Sequence, residues 1–405
     1  MFFALGVGIG LWGGASGAIL IRSGVDASTF GVLLTVYTGA YLIAMSAGGA
    51  LAHRFGVEQA LSSSAIIYGA TLFALLSAST ETWVAIALIA AGFVGGLVDV
   101  LMNAEGARIE RGLKRPIMAR LHCAASVGMA LGAILGSLIA VGRAPWAAGV
   151  LAALALAGAG AAYHRAAATD RPAPAAVGSV GRSGLSFAPA LIGLGVVVGV
   201  SIGAELAASV WSTLLLREEA PKLAAISGLG AAFFSACQAA LRFNVDAIRL
   251  RVSDLRLIVA SLAIAAAGFA LVSLQAGFAA SVAGFALIGV GTGPIVPCGF
   301  ALAARQAAGP AVGLASASLF SALSRLPAPL ATGAIAHALS LPAAFGAFAA
   351  ALTATAVTTA LIVSLARRPT RKTSRSVARS GDCLGAAVIA EEAGLAAESR
   401  NQGNE

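Results

Sequence analysis

The chain has 405 residues, of which 59% are hydrophobic and only 11% charged, less than half the charged share of about 25% in soluble domains. With a mean hydropathy of +0.91, this composition excludes a soluble globular domain and predicts an integral membrane protein. The net charge of +9 does not point to nucleic acid: the basic residues are scattered among short loops and a tail with no aromatics between them, so no nucleic-acid partner is expected.

A spanning helix needs about 20 mostly apolar residues, and twelve such segments can be drawn along the chain. The first set is Phe2–Ile21, Phe30–Ala52, Gln59–Ser77, Trp83–Met102, His122–Val141 and Trp146–Tyr163. The second is Phe187–Leu215, Leu223–Leu241, Leu257–Leu274, Phe278–Ala304, Val312–Ala336 and Leu341–Ala366. Met1 to Leu20 carries no charged side chain, so it lacks the basic start of a cleaved signal and is taken as the first span. "GVGTGPIVPCG" (Gly289–Gly299) places Gly and Pro inside a span, tolerated where neighbouring helices satisfy the freed backbone groups. "HRAAATDRPAPAAVGSVGRSG" (His164–Gly184) has the Pro, Gly, Ser and Arg of a solvated linker. The expected organisation is a six-helix bundle over 1–163, a cytoplasmic linker over 164–186, a second six-helix bundle over 187–366, and a disordered cytoplasmic tail over 367–405. The fold class is all-α and integral to the membrane, with twelve transmembrane helices in two bundles. "AHRFG" against "LRFNVD" and "GFVGG" against "GFALIG" are faint traces of a repeat between the halves.

Lys and Arg set the orientation. With both termini in the cytoplasm, the inner loops hold Arg54, the cluster Arg108 to Arg120, the linker arginines, Arg242 to Arg256 and Arg305, while Arg22, Arg143, Arg217 and Lys222 fall outside. Glu105–Arg120 is then a cytoplasmic loop. A plasma membrane crossed many times is the expected location.

An ionisable group inside a span costs about 2.5–3.5 kcal/mol on insertion scales, so each needs a reason. Glu205, in "VVVGVSIGAELAASVW", either meets a watery cavity, where it binds solute or exchanges a proton, or is a structural acid bonded to a carbonyl. Asp99 and Asn103 lie four residues apart and share a helix face; they line a cavity, anchor the helix end, or Asp99 bonds a loop Arg. Arg325, just before Pro327 and Pro329, bonds the carbonyls they free, pairs with Glu205, holds an anionic solute, or snorkels. His122 adjoins the basic loop and is an interfacial histidine or a proton relay. Gln238, Trp12, Trp211, Tyr37 and Tyr41 are the uncharged companions.

The sequence has no phosphate-binding G-x-x-x-x-G-K-[ST] loop and no H-E-x-x-H, so no enzyme, no cofactor and no metal is expected. Cys123, Cys237, Cys298 and Cys383 have no metal spacing and suggest no disulfide framework.

"GGALAHRFG" (Gly48–Gly56) resembles the signature loop of the major facilitator superfamily of secondary transporters at Gly49, Leu51, Arg54 and Gly56; His53 replaces the usual Asp. The resemblance implies a gating loop that latches the second helix to the eleventh, with the latch altered here. "GLVDVLMNAEGARIERGLKRPIMARLHCAASVG" resembles the YbjJ-type, fucose-permease-like branch of bacterial inner-membrane facilitators at Asp99, Met102, Asn103, Gly106, Glu110, Pro116, Met118, Arg120, His122, Ser126 and Gly128. "GAELAASVWS" resembles that branch at Glu205, Trp211 and Ser212, with Val210 where an acid is usual. The resemblance implies a bacterial inner membrane and a cavity lined by helices one, four, seven and ten. The function expected is proton-coupled secondary transport of a small polar organic solute, sugar-like or a metabolite, by alternating access. The partners are that solute, protons and the lipid bilayer, with the protein a monomer. The alternatives are a non-transporting sensor or scaffold with the same fold, or a drug exporter.

Overall fold

The structure is a computed structural model that describes residues 1–114, 117–142, 144, 146–169, 185–306 and 309–366. Most of the expected linker and all of the expected tail lie outside these residues. The described chain forms fifteen α-helices. In the first half these are α1 (Phe2–Ser23), α2 (Ala27–Phe55), α3 (Val57–Leu76), α4 (Glu81–Leu113), α5 (Met118–Ala140) and α6 (Trp146–Thr169). The second half has α7 (Pro189–Val210), α8 (Ser212–Glu219), a 3-10 turn (Pro221–Ile226), α9 (Leu229–Arg249), α10 (Asp254–Ser273), α11 (Phe278–Thr292), α12 (Ile295–Ala304), α13 (Pro310–Arg325), α14 (Ala328–Ala338) and α15 (Leu341–Ala366).

Ten helical segments among the described residues are long and apolar enough to cross a membrane. Two expected spans fall outside that set for clear reasons. α9 carries Gln238, Arg242, Asn244, Asp246 and Arg249 along its second half, which lowers its hydropathy. α13 and α14 are separate pieces because Pro327 breaks the helix, and neither piece alone is long enough.

Expected boundaries shift where hydropathy and helix length part company. α4 continues to Leu113, so most of the expected Glu105–Arg120 loop is helix. Its extra turns carry strong helix formers and a Glu105–Arg108 pair at i, i+3, 2.6 Å apart. The Glu110 carboxylate then caps α5, accepting the N–H groups of Ile117 and Met118 at 2.7 and 2.8 Å. At the other end, Gly24 closes α1 with φ of 70°, and Asp26 opens α2 by accepting the Thr29 N–H at 2.7 Å.

The tightest packing joins α1 to α5. Gly6, Gly10 and Gly14 on α1 meet the backbone of Ala125, Met129 and Ala133, while Gly128, Gly132 and Gly136 on α5 meet that of Phe3, Val7 and Leu11. A Cβ at any of the six would overlap the facing main chain. Two interlocked small-xxx-small stripes let the helices touch backbone to backbone, which is how helices associate where no water drives them together.

One end of the molecule holds the start of α1, the end of α4 and the start of α5, and will be termed the near end; the other is the far end. At the far end the two halves interlock. Ser16 Oγ of α1 donates to the Val210 carbonyl at 2.6 Å, and Thr213 Oγ1 of α8 donates to the Gly13 carbonyl at 2.7 Å. The Phe30 ring of α2 packs edge-on to Trp211, centroids 4.9 Å apart. Gly31 lies against Pro329 and Gly333 of α14, and Gly228 against Ala133 and Ser137 of α5.

Candidate solute-binding site

In the middle of the first half, α4 presents Asp99. Asn103, one turn on, donates its amide to Asp99 Oδ1 at 2.9 Å, and the Tyr41 hydroxyl of α2 donates to Oδ2 at 2.6 Å. Both carboxylate oxygens thus have neutral donors. The register is set by glycine: Gly92 and Gly96 of α4, one turn apart, let the carbonyls of Tyr37 and Tyr41 approach where a side chain would collide. Trp12 of α1 stacks obliquely on Tyr37 at 5.4 Å, and Tyr37 on Tyr41 at 6.3 Å. The Tyr68 hydroxyl of α3 abuts that of Tyr37. His122 stands at the start of α5 with its ring edge-on to Phe2 at 5.3 Å.

The second half presents ions. Glu205 of α7 is paired with Arg242 of α9, whose terminal nitrogen donates to both carboxylate oxygens at 3.2 and 3.1 Å. Arg242 Nε also donates to the Gly293 carbonyl, at a long 3.5 Å. That acceptor exists because its helical partner four residues on is Pro297, which has no N–H. One turn before Arg242, Gln238 is buried and donates to Thr292 Oγ1 at 3.1 Å. Arg325 ends α13 at the Pro327 break; its Nε is buried and has no hydrogen-bond partner among the described residues.

These groups face one another across the halves. Arg325 lies within electrostatic reach of Tyr37 and Tyr41, and His122 within reach of both Arg242 and Asp99. Tyr37, Tyr41, Asp99, Asn103, His122, Glu205, Arg242 and Arg325 are all half-buried.

Several expectations change. Glu205 does not pair with Arg325: Arg242 takes that place. Arg325 makes no hydrogen bond to the carbonyls freed by its prolines. Asp99 bonds Tyr41 and Asn103 and, among the described residues, no loop arginine. Trp211 is fully buried in the far-end seal, away from the polar cluster, and Gln238 braces α9 to α11. Around the signature-like loop, α2 and α3 are joined by the single residue Gly56 at φ of 81°. Arg54 is exposed and lies 5.3 Å over the Phe55 ring, and Gly49 faces open space.

Arg242 falls in an inner loop by hydropathy because the apolar run stops at Leu241. The signal for its true place is periodicity: Gln238, Arg242 and Asp246 recur every four residues along one face of α9. Tyr68, Ser16 and Thr213 offer no such signal, since small polar groups within apolar runs are common in membrane helices.

The polar cluster lies among helices long and apolar enough to cross a membrane, and comparison with known proteins bears on its role. No family model matches the chain. A Sinorhizobium fredii protein named uncharacterized transporter y4wD is 29% identical over 358 residues, covering 86% of this chain and 93% of that one. A Yersinia pestis protein named an MFS-type transporter is 28% identical over 132 residues, about a third of each chain. The crystal structure of the nucleoside transporter NupG superposes with a TM-score of 0.67 at 12% identity, covering 89% of this chain and 96% of that one; a mutant form of the same transporter gives 0.70. The relatives and the fold together support a multi-pass membrane transporter, similar in fold to NupG and in part of its sequence to a protein named an MFS-type transporter.

Proposed function

We propose that the protein is a proton-coupled secondary transporter of a small polar organic solute, working by alternating access between bundles 1–163 and 187–366. The observation that carries this is the ring of half-buried polar groups contributed by both halves at mid-depth, beneath an interlocked far end. A solute held by Asp99, Asn103, Tyr37, Tyr41 and Trp12 on one side and by the Glu205–Arg242 pair and Arg325 on the other would bind both bundles at once. Rocking of the bundles about it would expose the site to each side in turn.

The near end carries most of the basic residues, which favours placing it, and both termini, in the cytoplasm of a bacterial inner membrane. The far-end seal then corresponds to an inward-facing state. Twelve spans result if α9 and the α13–α14 pair cross the membrane beside the ten apolar segments. Protonation of Glu205 would release Arg242, and protonation of Asp99 would convert an acceptor of two hydrogen bonds into a donor. Either change alters what the cavity binds, which is how proton flow and solute flow become coupled, by symport or antiport.

The test is a solute screen on the purified protein by thermal shift, followed by flux in liposomes under an imposed pH gradient. Glu205→Gln should abolish pH-driven flux of the solute found. Unchanged flux in that variant removes the carboxylate from the coupling step.

A further inference from the structure

We propose that Arg325 is the solute's anion-binding group, and that the solute is a small organic molecule carrying one carboxylate. The inference rests on the transporter reading above and adds the substrate class.

Four formal charges occupy the cluster: Asp99, Glu205, Arg242 and Arg325. They are not equivalently placed. Glu205 and Arg242 satisfy each other at 3.1 Å. Asp99 is held by two neutral donors, Tyr41 and Asn103. Arg325 has neither a carboxylate nor any other hydrogen-bond acceptor among the described residues, although its Nε is cut off from solvent. A guanidinium is a rigid fork that fits a carboxylate through two parallel bonds, and a buried donor left without a partner carries its full desolvation cost. An arriving carboxylate would supply the missing acceptor.

The fold keeps this fork in place. Gly199 of α7 lies against Ser321 and Ser324, and Gly203 against Ala328. These contacts clamp the residues on both sides of Arg325 to α7, while Pro327 ends α13 immediately after it. The charge is therefore delivered at a helix break, within electrostatic reach of Tyr37 and Tyr41 of the opposite half. The hydroxyls of those tyrosines and the ring of Trp12 suit the hydroxylated or planar body of a small molecule.

The count of charges argues for a single negative group. With all four groups ionised the cluster is neutral, so a monoanion brings it to minus one, and one proton restores neutrality. A dianion would need a second free cation, and Arg242 is engaged by Glu205. His122 is a further titratable group, within electrostatic reach of Arg242 and Asp99.

The experiment compares matched pairs on the full-length protein in detergent and in liposomes: gluconate with glucitol, lactate with propane-1,2-diol and benzoate with benzyl alcohol, alongside succinate and inorganic phosphate. At least one monocarboxylate should raise the melting midpoint, while its neutral partner, succinate and phosphate do not. Arg325→Gln should weaken that binding about a hundredfold, the scale of losing one charge-assisted partner, and Arg325→Lys about tenfold through loss of the fork. Should Arg325→Gln fail to give a monodisperse protein, the lysine variant decides. Equal stabilisation by a neutral partner, a monocarboxylate effect that survives both variants, or no monocarboxylate effect at all overturns the assignment. Flux of a neutral solute in liposomes would overturn it while leaving the transporter reading intact.

Discussion

The pair α1–α5 and the pair formed by α7 with α13 and α14 occupy corresponding places in the two halves, yet they are built differently. Both α1 and α7 carry three glycines at four-residue spacing: Gly6, Gly10 and Gly14, and Gly195, Gly199 and Gly203. α5 answers with three glycines of its own and runs unbroken. The partner of α7 answers with the Cβ atoms of Phe320, Ser324 and Ala328 and the Ser321 carbonyl, and breaks at Pro327. The reciprocal zipper gives a stiff unit beside the neutral donors of α2 and α4. The one-sided zipper accompanies a partner helix that stops at Pro327 and presents an arginine. The first half is built for shape and the second for charge.

The contrast can be broken most forcefully on the stiff side. Gly132→Leu forces a branched side chain into the main chain of α1 and should cost more than about 4 kcal/mol, leaving no monodisperse protein by size-exclusion chromatography. Gly195→Ala should be milder because it adds a single methyl, although the Phe320 Cβ it meets is fixed to its own backbone.

On the charged side, Glu205→Ala leaves Arg242 half-buried without its partner and should destabilise by about 3–5 kcal/mol. The double variant Glu205→Ala with Arg242→Ala should recover most of that loss, read as the melting midpoint in detergent. Failure to recover would mean that Glu205 holds more than one partner in place.

Tyr41→Phe removes one donor from Asp99 and should cost about 1.5–3 kcal/mol, the range for hydrogen bonds to charged groups. The neutral-donor description of the first half would fail if the melting midpoint did not move.

Ser16→Ala and Thr213→Val each delete one bond of the far-end seal, worth about 1 kcal/mol. Each should favour the far-open conformation about fivefold, read by cysteine labelling at an engineered far-end position.

The smallest effect is at Asp26, whose carboxyl is held below its ordinary range by the Thr29 N–H. Because its folded pKa is depressed, its stabilisation is complete above the unfolded value of about 3.9 and is lost as pH falls through the folded one. Asp26→Asn keeps the cap and should flatten the acid limb of a melting profile slightly.

Much of the fold is legible in the sequence because apolar length is a direct record of bilayer thickness. The class, the start of nearly every span and the presence of Asp99, Glu205 and Arg325 within helices follow from the apolar pattern and its interruptions. Pairings are not legible. Glu205 and Arg325 look like natural partners only while Arg242 is placed in water, and hydropathy cannot separate a residue facing a cavity from one facing solvent. The break at Pro327 is visible, but the clamp by Gly199 and Gly203 depends on which helices are neighbours, and one sequence does not supply that.

The two bonds that fasten the far end both terminate on peptide oxygens, at Gly13 and Val210. A fastening that grips the main chain reads no side-chain chemistry at its receiving positions, but it does read size: a Cβ at Gly13 would come within 2.8 Å of the Ser209 carbonyl. The joint between the halves therefore accepts variation in its acceptors only where the backbones are not already touching.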